Sequence, residues 1–375
     1  MTGEFYEEKI ELHVDDLSEA GISRYLRHSG DFHVEVRKTV TSTNTILKDA
    51  SSCATGWGQT VGGLPGGGLS EGRLPDGGLP EWYVLVAEEQ TAGKGRMGRP
   101  FHSPSGHGLY FSVLLRPGNG AFSASPHDDG VGRAGSGNPA LLITSVAAVA
   151  AARAIQEVTG IRVGIKWVND LLIGGKKVCG ILTEAVIRAG SANQGSAQDG
   201  YAQGGEAWGS GCPGSGYIDS IVVGFGINVI KPKNGYPEAL EDIATALYDG
   251  TEAGTDAGGA AAGNAGNRKT GVNSTNANGA EANISPAHGV ERCRLIAATL
   301  DYFRELYEKL PDRGFLDEYR DLSVLPGKEI TIYSGAEHQT GRVIAIDDDC
   351  GLVVHYANGQ TVTINSGEVS VRERV

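Results

Sequence analysis

Glycine is concentrated in four stretches that divide this chain into separate ordered pieces. Of its 375 residues 57 are glycine, and the excess falls near residues 56–80, 118–137, 189–216 and 249–288. None of these stretches repeats apolar residues with the period of a strand or of a helix. Because such sequences have no face to bury, we predict four disordered insertions in surface loops. Closing a longer loop costs little additional entropy, so a folded core can tolerate them.

The charge balance argues against a general nucleic-acid-binding protein. Lys plus Arg is 32 and Asp plus Glu is 45, so the formal net charge is −13. An acidic surface repels a phosphate backbone as a whole, and we therefore expect no nucleic-acid partner. A local basic loop could still bind one small phosphate ligand.

Cysteine usage and the N-terminal sequence predict a cytoplasmic protein. Five cysteines are scattered without a CxxC or a Cys/His ligand spacing, which indicates free thiols in a reducing compartment. The N-terminus has no basic region followed by an apolar stretch, so no signal peptide is expected. The most apolar segment, residues 140–152, is too short to span a bilayer, and no membrane partner is expected.

Between the insertions, strand patterns alternate with helix patterns. Asn138 and Pro139 suit the start of an Ala-rich helix, and Gly160 suits its end. The alternation predicts an α+β domain over residues 1–325, with helices around a central mixed sheet. The predicted helices cover 40–50, 139–160 and 291–310, and the predicted strands cover 82–87, 109–115, 163–168, 178–187 and 218–229.

After Pro326 the pattern changes to short β runs. Asn358-Gly359 between the last two runs is a strong hairpin signal. We predict a separate small β-barrel over residues 326–375, with strands at 329–333, 342–346, 352–356 and 360–364.

A glycine loop with three cations follows the first buried strand. Residues 90–99, QTAGKGRMGR, contain a G-x-G-x-x-G pattern. A dinucleotide fold would place a helix next, but Pro100, Pro104 and further glycines break any helix there. The remaining interpretation is a loop whose amides and whose Lys94, Arg96 and Arg99 neutralise phosphate or carboxylate. The alternative is a solvated basic loop.

Two further motifs place polar residues at strand ends. In KWVND, residues 166–170, Asp170 offers an oxygen ligand suited to Mg²⁺, and Lys177 on the next strand could face the same site. In VGFGIN, residues 223–228, glycines inside a strand mark a close approach by a ligand or by backbone, and Asn228 can pair with a base edge. A solvated turn and a strand bulge are the respective alternatives.

Together these motifs resemble the biotin–protein ligase family in order, spacing and content. The resemblance starts at Ser42-Thr43-Asn44, continues through GKGRMGR, KWVND and KKVCGIL, and reaches VGFGIN. It implies a class II synthetase-like catalytic domain followed by the family's small SH3-like β-barrel. Only about 35 residues precede the similar region, and this segment is acidic, which favours the monofunctional form without an N-terminal DNA-binding domain.

The resemblance implies an ATP-dependent ligase with Mg²⁺ as cofactor. It would form biotinyl-5′-AMP from biotin and ATP and transfer biotin to a lysine of a biotin carboxyl carrier domain of acetyl-CoA or related carboxylases. A monomer and a homodimer are both compatible with it. The alternatives are a lipoate or octanoate ligase of similar fold, a biotin-responsive repressor, and a biotin-binding module without turnover.

The family's residue roles carry over onto thirteen positions of this sequence. Val168 stands where the family usually has Pro, and Lys94 replaces a common Arg, which keeps the charge but loses bidentate geometry. The resemblance implies catalytic roles for Lys94, Arg96 and Lys177, biotin contacts for Ser42, Thr43, Gln90, Gly93, Arg96, Lys177 and Gly180, ATP contacts for Arg99, Phe101, Asn169 and Asn228, and a Mg²⁺ contact for Asp170.

Replacing residues 249–288 by a short Gly/Ser linker should leave ligation nearly intact. The stability should change by less than ~1 kcal/mol, because the segment has no apolar face to bury. Ligation rate and thermal unfolding of the deleted and the full chain measure this. A folded deletion variant without activity would show that the segment contributes to a site.

Overall fold

The computed structural model describes residues 16–52, 79–117, 139–189, 200–202, 216–248, 291–334 and 337–371. Asn138 and most of the four predicted insertions lie outside these ranges. The described residues form two sheets and six α-helices.

The larger sheet is mixed, as predicted from the alternating pattern. Its strands run in the order β1-β2-β3-β8-β6-β5-β4, and β7 pairs with β6. The β1–β2 pair is parallel, whereas the other pairs are antiparallel. The strands are β1 His33–Val40, β2 Tyr83–Gln90, β3 Gly108–Leu115, β4 Gly164–Lys166, β5 Asp170–Ile173, β6 Lys176–Ala189, β7 Gly200–Ala202 and β8 Gly216–Asn228.

Helices cover both faces of this sheet. The helices are α1 Glu19–Tyr25, α2 Thr43–Ser52, α3 Pro139–Thr159, α4 Glu238–Glu241, α5 Arg292–Glu308 and α6 Leu316–Leu322. Helix α2 packs on Leu85, Leu114 and Val222. The residues next to these three along their strands pack in a second cluster, together with α3 and α5. Because adjacent strand residues point to opposite faces, α2 lies on the face opposite α3 and α5.

Helix α3 is longer than the apolar segment 140–152 suggested. Its residues Ala140–Thr159 are long and apolar enough to cross a membrane, but 78% of the most apolar window is buried in the protein. The hydroxyls of Thr144 and Ser145 donate to carbonyls one turn back, which satisfies them inside the core. We therefore interpret α3 as the central helix of the fold.

The sequence patterns missed the N-terminal elements and misjudged the edges of two insertions. Helix α1 has one buried residue, Ile22, and β1 is mostly half-exposed, so neither shows a clear hydrophobic period. Leu79, inside the first predicted insertion, is buried in the α2 core. The prediction of disorder over 189–216 is wrong at β7, since backbone pairing to β6 needs no side-chain pattern.

The smaller sheet is antiparallel and open. Its order is β12-β11-β10-β9-β13, and among the described residues β12 and β13 do not pair with each other, so the predicted closed barrel is wrong. The Asn358-Gly359 hairpin turn is confirmed, with φ of 87° at Gly359. The strands are β9 Glu329–Ser334, β10 Glu337–Ile346, β11 Leu352–Tyr356, β12 Thr361–Ile364 and β13 Glu368–Val371, and the sequence pattern missed the last of these.

The two sheets share one buried core. Apolar residues of the smaller sheet, such as Ile330, Val343 and Leu352, join the same cluster as α3 and α5. Trp167, buried before β5, donates its indole N–H to the Cys350 carbonyl at 2.8 Å. These contacts hold the smaller sheet against the KWVND segment of the larger domain.

The three described cysteines should resist alkylation in the native protein. Cys179, Cys293 and Cys350 are buried, and burial raises the thiol pKa of Cys179 and Cys350 to about 12. Since the thiolate is the reactive form, both thiols stay neutral at pH 8. Iodoacetamide followed by peptide mass spectrometry should label them only in guanidinium. Native labelling of Cys179 would contradict this packing.

Candidate active site

The three sequence motifs meet at one cavity in the larger sheet. The open space between them is about 410 Å³, which includes solvent outside the cavity walls. Nine of the thirteen predicted site residues line it, namely Ser42, Thr43, Gln90, Lys94, Arg96, Phe101, Asn169, Lys177 and Gly180. The cavity walls also include Asn44, Leu182, Gly224 and Gly226, which the residue assignment had left out.

The glycine loop closes on itself beside this cavity. The Gly95 N–H donates to the Arg99 carbonyl at 2.7 Å, and the Phe101 N–H donates to the Gly93 carbonyl at 2.8 Å. A Cβ at Gly93 would lie 2.5 Å from the Phe101 carbonyl oxygen. Gly93 is therefore required by close packing within the loop, and it does not line the cavity.

The ring of Phe101 lies on a floor made of two glycines. Gly180 on β6 and Gly226 on β8 are direct partners in the sheet register. A Cβ on Gly226 would lie 2.5 Å from a Phe101 ring carbon, and one on Gly180 would lie 3.2 Å from the ring. Glycines in this strand pair thus make room for an aromatic side chain, in line with the close approach predicted from VGFGIN.

Lys177 reaches the cavity and is held there by an acidic partner. Its Nζ lies 2.6 Å from Asp170 Oδ1 and 5.8 Å from the centre of the Phe101 ring. The adjacent Lys176 points the other way and donates to the Glu241 carbonyl at 2.8 Å. Adjacent strand residues face opposite sides, so only Lys177 places its charge in the site.

Asp170 pairs with this ammonium and does not form a metal site by itself. No group of three or more His, Cys, Asp or Glu residues in the described ranges could hold a metal ion. Mg²⁺ needs oxygen ligands in near-octahedral geometry, and this one carboxylate already faces a cation at 2.6 Å. The residues present therefore do not fit a resident Mg²⁺.

Arg96 connects three parts of the molecule. From the glycine loop, its guanidinium donates to Asn169 Oδ1 at 3.1 Å and to the Gly367 carbonyl of the smaller sheet at 3.3 Å. Asn169 in turn donates to the Ile181 carbonyl at 3.1 Å. The position of this cation thus depends on the KWVND turn and on the second sheet together.

The inner end of the cavity is polar. Gln90 Oε1 accepts the Thr43 N–H at 2.9 Å, and Gln90 Nε2 donates to Ser103 Oγ at 3.0 Å. Ser42 Oγ accepts the Thr45 N–H at 3.4 Å, which caps the first turn of α2. The first turn of α2 and the end of β2 therefore present oriented polar groups at this end.

The structure adds a buried polar cluster behind these groups. It joins Asn44 and Lys48 of α2 to Ser112 of β3 and Glu184 of β6. A charged Glu184 between the apolar residues of a buried strand was a visible signal in the sequence, but its partners are more than 60 residues away. The pairing needed the tertiary structure.

Three predicted nucleotide or metal contacts lie outside the cavity lining, as Gly93 does. Asp170 stands behind Lys177. Asn228 donates its amide to the Thr245 carbonyl at 2.9 Å, and Arg99 is exposed on the glycine loop. The assignment of Asn228 and Arg99 to ATP therefore remains a prediction.

Gly226→Ala should destabilise the protein by displacing the Phe101 ring. The cost should be roughly 1–3 kcal/mol, as for other small-to-large changes at packed positions. In the Phe101→Ala background the same substitution should cost less, because the clash is gone. Urea unfolding of the two single variants and the double variant measures this, with Gly314→Ala, where nothing lies within 4 Å of the added Cβ, as the control. Additive costs would show that the ring does not lie on this glycine.

Two protein-family models match the chain. The biotin/lipoate A/B protein ligase family matches residues 70–197, and the biotin protein ligase C-terminal domain matches residues 327–372. The second match covers most of the smaller sheet.

Curated relatives match over part of their length. The bifunctional ligase/repressor BirA of Bacillus subtilis is 35% identical over 168 residues, which is 45% of this chain and 39% of the relative. The biotin–[acetyl-CoA-carboxylase] ligase of Paracoccus denitrificans is 36% identical over 103 residues, 27% of this chain and 36% of the relative. The chain thus spans less than half the length of these relatives.

The solved structures agree in fold. The biotin protein ligase from Aquifex aeolicus in complex with biotin and ATP has a TM-score of 0.53 and 23% identity, covering 91% of this chain and 99% of that one. At this identity the similarity shows the fold alone. Together with the two family models and the curated relatives, it shows that this chain is similar to biotin protein ligases in fold and over part of its sequence.

Proposed function

We propose that this protein is an ATP-dependent biotin–protein ligase of the cytoplasm. The observation that carries the proposal is one cavity with a polar inner end at Thr43 and Gln90 and two cations, Lys177 and Arg96, at its mouth. Such a cavity suits a ligand with a polar ring and an anionic tail. Biotin has this form, and the Paracoccus denitrificans relative named above is a biotin–[acetyl-CoA-carboxylase] ligase.

Biotin would place its ring against Ser42, Thr43, Gln90 and Gly180. Its carboxylate would point to the cations Lys94, Arg96 and Lys177. A carboxylate is a weak nucleophile and repels the triphosphate of ATP, so both charges must be screened while the reacting atoms are aligned. Lys177 suits this role because Asp170 holds its ammonium in place at 2.6 Å. Attack of the carboxylate on the α-phosphate gives biotinyl-5′-AMP and releases pyrophosphate.

ATP would lie on the side of the site formed by Phe101 and Asn169, with Arg99 and Asn228 nearby. The Phe101 ring lies against Tyr110 at 6.4 Å and under Lys177, so it can offer an aromatic face to adenine. Mg²⁺ would arrive with the triphosphate, and no step here depends on it.

In the second step an acceptor lysine attacks the mixed anhydride and AMP leaves. The acceptor we propose is the biotin carboxyl carrier domain of acetyl-CoA or related carboxylases. The segment near residues 91–106, which includes most of the glycine loop, would close over the adenylate and exclude water. This closure protects the anhydride from hydrolysis.

Incubating the chain with labelled biotin, MgATP and a carboxylase carrier domain tests this proposal. Label should appear on the carrier lysine and pyrophosphate should be released. Labelled lipoate in a parallel reaction tests the nearest alternative, because the family model covers both substrates. Biotin binding without pyrophosphate release would instead indicate a binding module.

Lys177→Ala should reduce pyrophosphate release by roughly 10²–10³-fold, the size expected for removing preorganised charge, which is roughly 3–4 kcal/mol. The fold should survive, since Lys177 lies at a cavity wall. Synthetic biotinyl-5′-AMP bypasses the first step, so transfer to the carrier should recover in part. Lys176→Ala is the matched control and should be nearly silent, because that side chain points away from the cavity. A silent Lys177→Ala would leave charge screening to Lys94 and Arg96.

A further inference from the structure

A buried ion pair lies directly behind the polar end of the cavity, and the proposed chemistry does not use it. Lys48 Nζ of α2 lies 2.6 Å from Glu184 Oε1 of β6. Glu184 is 3% exposed and Lys48 is 7% exposed. Removing two charges from water is costly, so a buried pair is weak evidence for a purely stabilising role. Such a pair is better explained if it fixes something that an apolar pair could not.

The second oxygen of Glu184 fixes the side chain of Asn44. Glu184 Oε2 accepts from Asn44 Nδ2 at 2.9 Å, and the Leu182 carbonyl accepts from the same nitrogen at 3.2 Å. A carboxylate and a carbonyl can only accept, so the NH₂ of Asn44 must face them. Oδ1 must then face the opposite way, toward Ser112.

Ser112 transmits this orientation to Thr43. The Ser112 hydroxyl oxygen lies 2.6 Å from Asn44 Oδ1 and 2.7 Å from Thr43 Oγ1. Each hydroxyl has a single proton, and Asn44 Oδ1 can only accept, so the Ser112 proton lies on the Asn44 side. The short contact between the two hydroxyls must then use the proton of Thr43.

Thr43 is therefore left with lone pairs for the cavity. Its other neighbouring acceptor, Gln90 Oε1, is farther away, at 3.2 Å, and already accepts the Thr43 N–H. Whether the Thr43 proton goes to Ser112 or to Gln90, it does not go to a ligand. Asn44 packs closely against the Gly224 backbone, because a Cβ added at Gly224 would collide with Asn44 Oδ1.

We propose that Glu184 is a positioning residue which, through Asn44 and Ser112, fixes the Thr43 hydroxyl as a hydrogen-bond acceptor facing the cavity. Such an acceptor selects a ligand ring that carries an N–H donor. This inference rests on the proposed function, because the ureido ring of biotin has such N–H groups and a dithiolane ring has none. Lys48 places the opposite charge beside this buried carboxylate, at 2.6 Å.

Biotin affinity and thermal unfolding of variants of the full chain test whether the Thr43 hydroxyl accepts a hydrogen bond from biotin. Thr43→Val removes the acceptor and should raise the Kd for biotin about tenfold or more, the effect of one buried donor left unpaired. Thr45→Val is the matched control on the same helix, because the Thr45 hydroxyl is buried without a hydrogen-bond partner in the described structure. This control should bind biotin as the wild type does.

Variants without the buried charges test whether Glu184 orients Thr43 through Asn44 and Ser112. Lys48→Met/Glu184→Leu replaces the pair by apolar groups and should keep the unfolding midpoint near that of the wild type. The Asn44 amide can then turn over, so the Kd should still rise severalfold to tenfold. Adding Thr43→Val should cause little further loss, because both changes remove the same acceptor. Asn44→Leu removes the hydrogen bonds between Glu184 and Ser112 but leaves the Lys48–Glu184 ion pair in place. This variant replaces the double variant in the test if the double variant does not fold.

Wild-type biotin affinity in a folded Asn44→Leu or Lys48→Met/Glu184→Leu variant would overturn the inference. Losses that simply add to that of Thr43→Val would overturn it as well, because a general structural effect behaves in that way. A wild-type chain that does not bind biotin would contradict the proposed function itself.

Discussion

The pairing of β6 with β8 is the constraint on which the rest of the site depends. Its register sets Gly180 opposite Gly226 and Leu182 opposite Gly224. The glycines leave a trough along the middle of the sheet, and that trough receives the Phe101 ring at one end and Asn44 at the other. A shift of one residue would turn this surface to the opposite face and fill the trough with side chains. The glycine loop and α2 both take their positions from it.

The two ends of this trough differ in the exposure of their charges. At the mouth, Lys177 and Arg96 are partly exposed and can respond to an anion, while Asp170 and Asn169 keep them oriented. At the inner end the charges of Lys48 and Glu184 are buried and cancel each other, so they act only through the hydrogen bonds they impose. One site thus combines a cationic region with a neutral region of directional hydrogen bonds.

The smaller sheet packs against the larger domain and contacts residues of the cavity motifs. Its core is continuous with that of the larger domain, and Trp167 and Arg96 reach it from the two motifs nearest the cavity mouth. Any movement of the smaller sheet would change the surroundings of Arg96. This explains why a β tail far along the sequence bears on a site built by the larger sheet.

By itself the sequence determined the longer helices α2, α3 and α5, most of the longer strands, the Asn358-Gly359 turn, and the motifs that gather at the cavity, because periodicity and turn chemistry are local properties. It also predicted that Lys177 and Asp170 could face one site across a hairpin, and in the structure they form an ion pair there, which needs only a few residues. Only the tertiary structure decided which polar groups meet. The contacts of Glu184 with Lys48 and Asn44, of Ser112 with Thr43, and of Arg96 with Gly367 join segments far apart in the chain. The open end of the smaller sheet and the edge strand β7 depend likewise on long-range backbone pairing, which side-chain pattern does not encode.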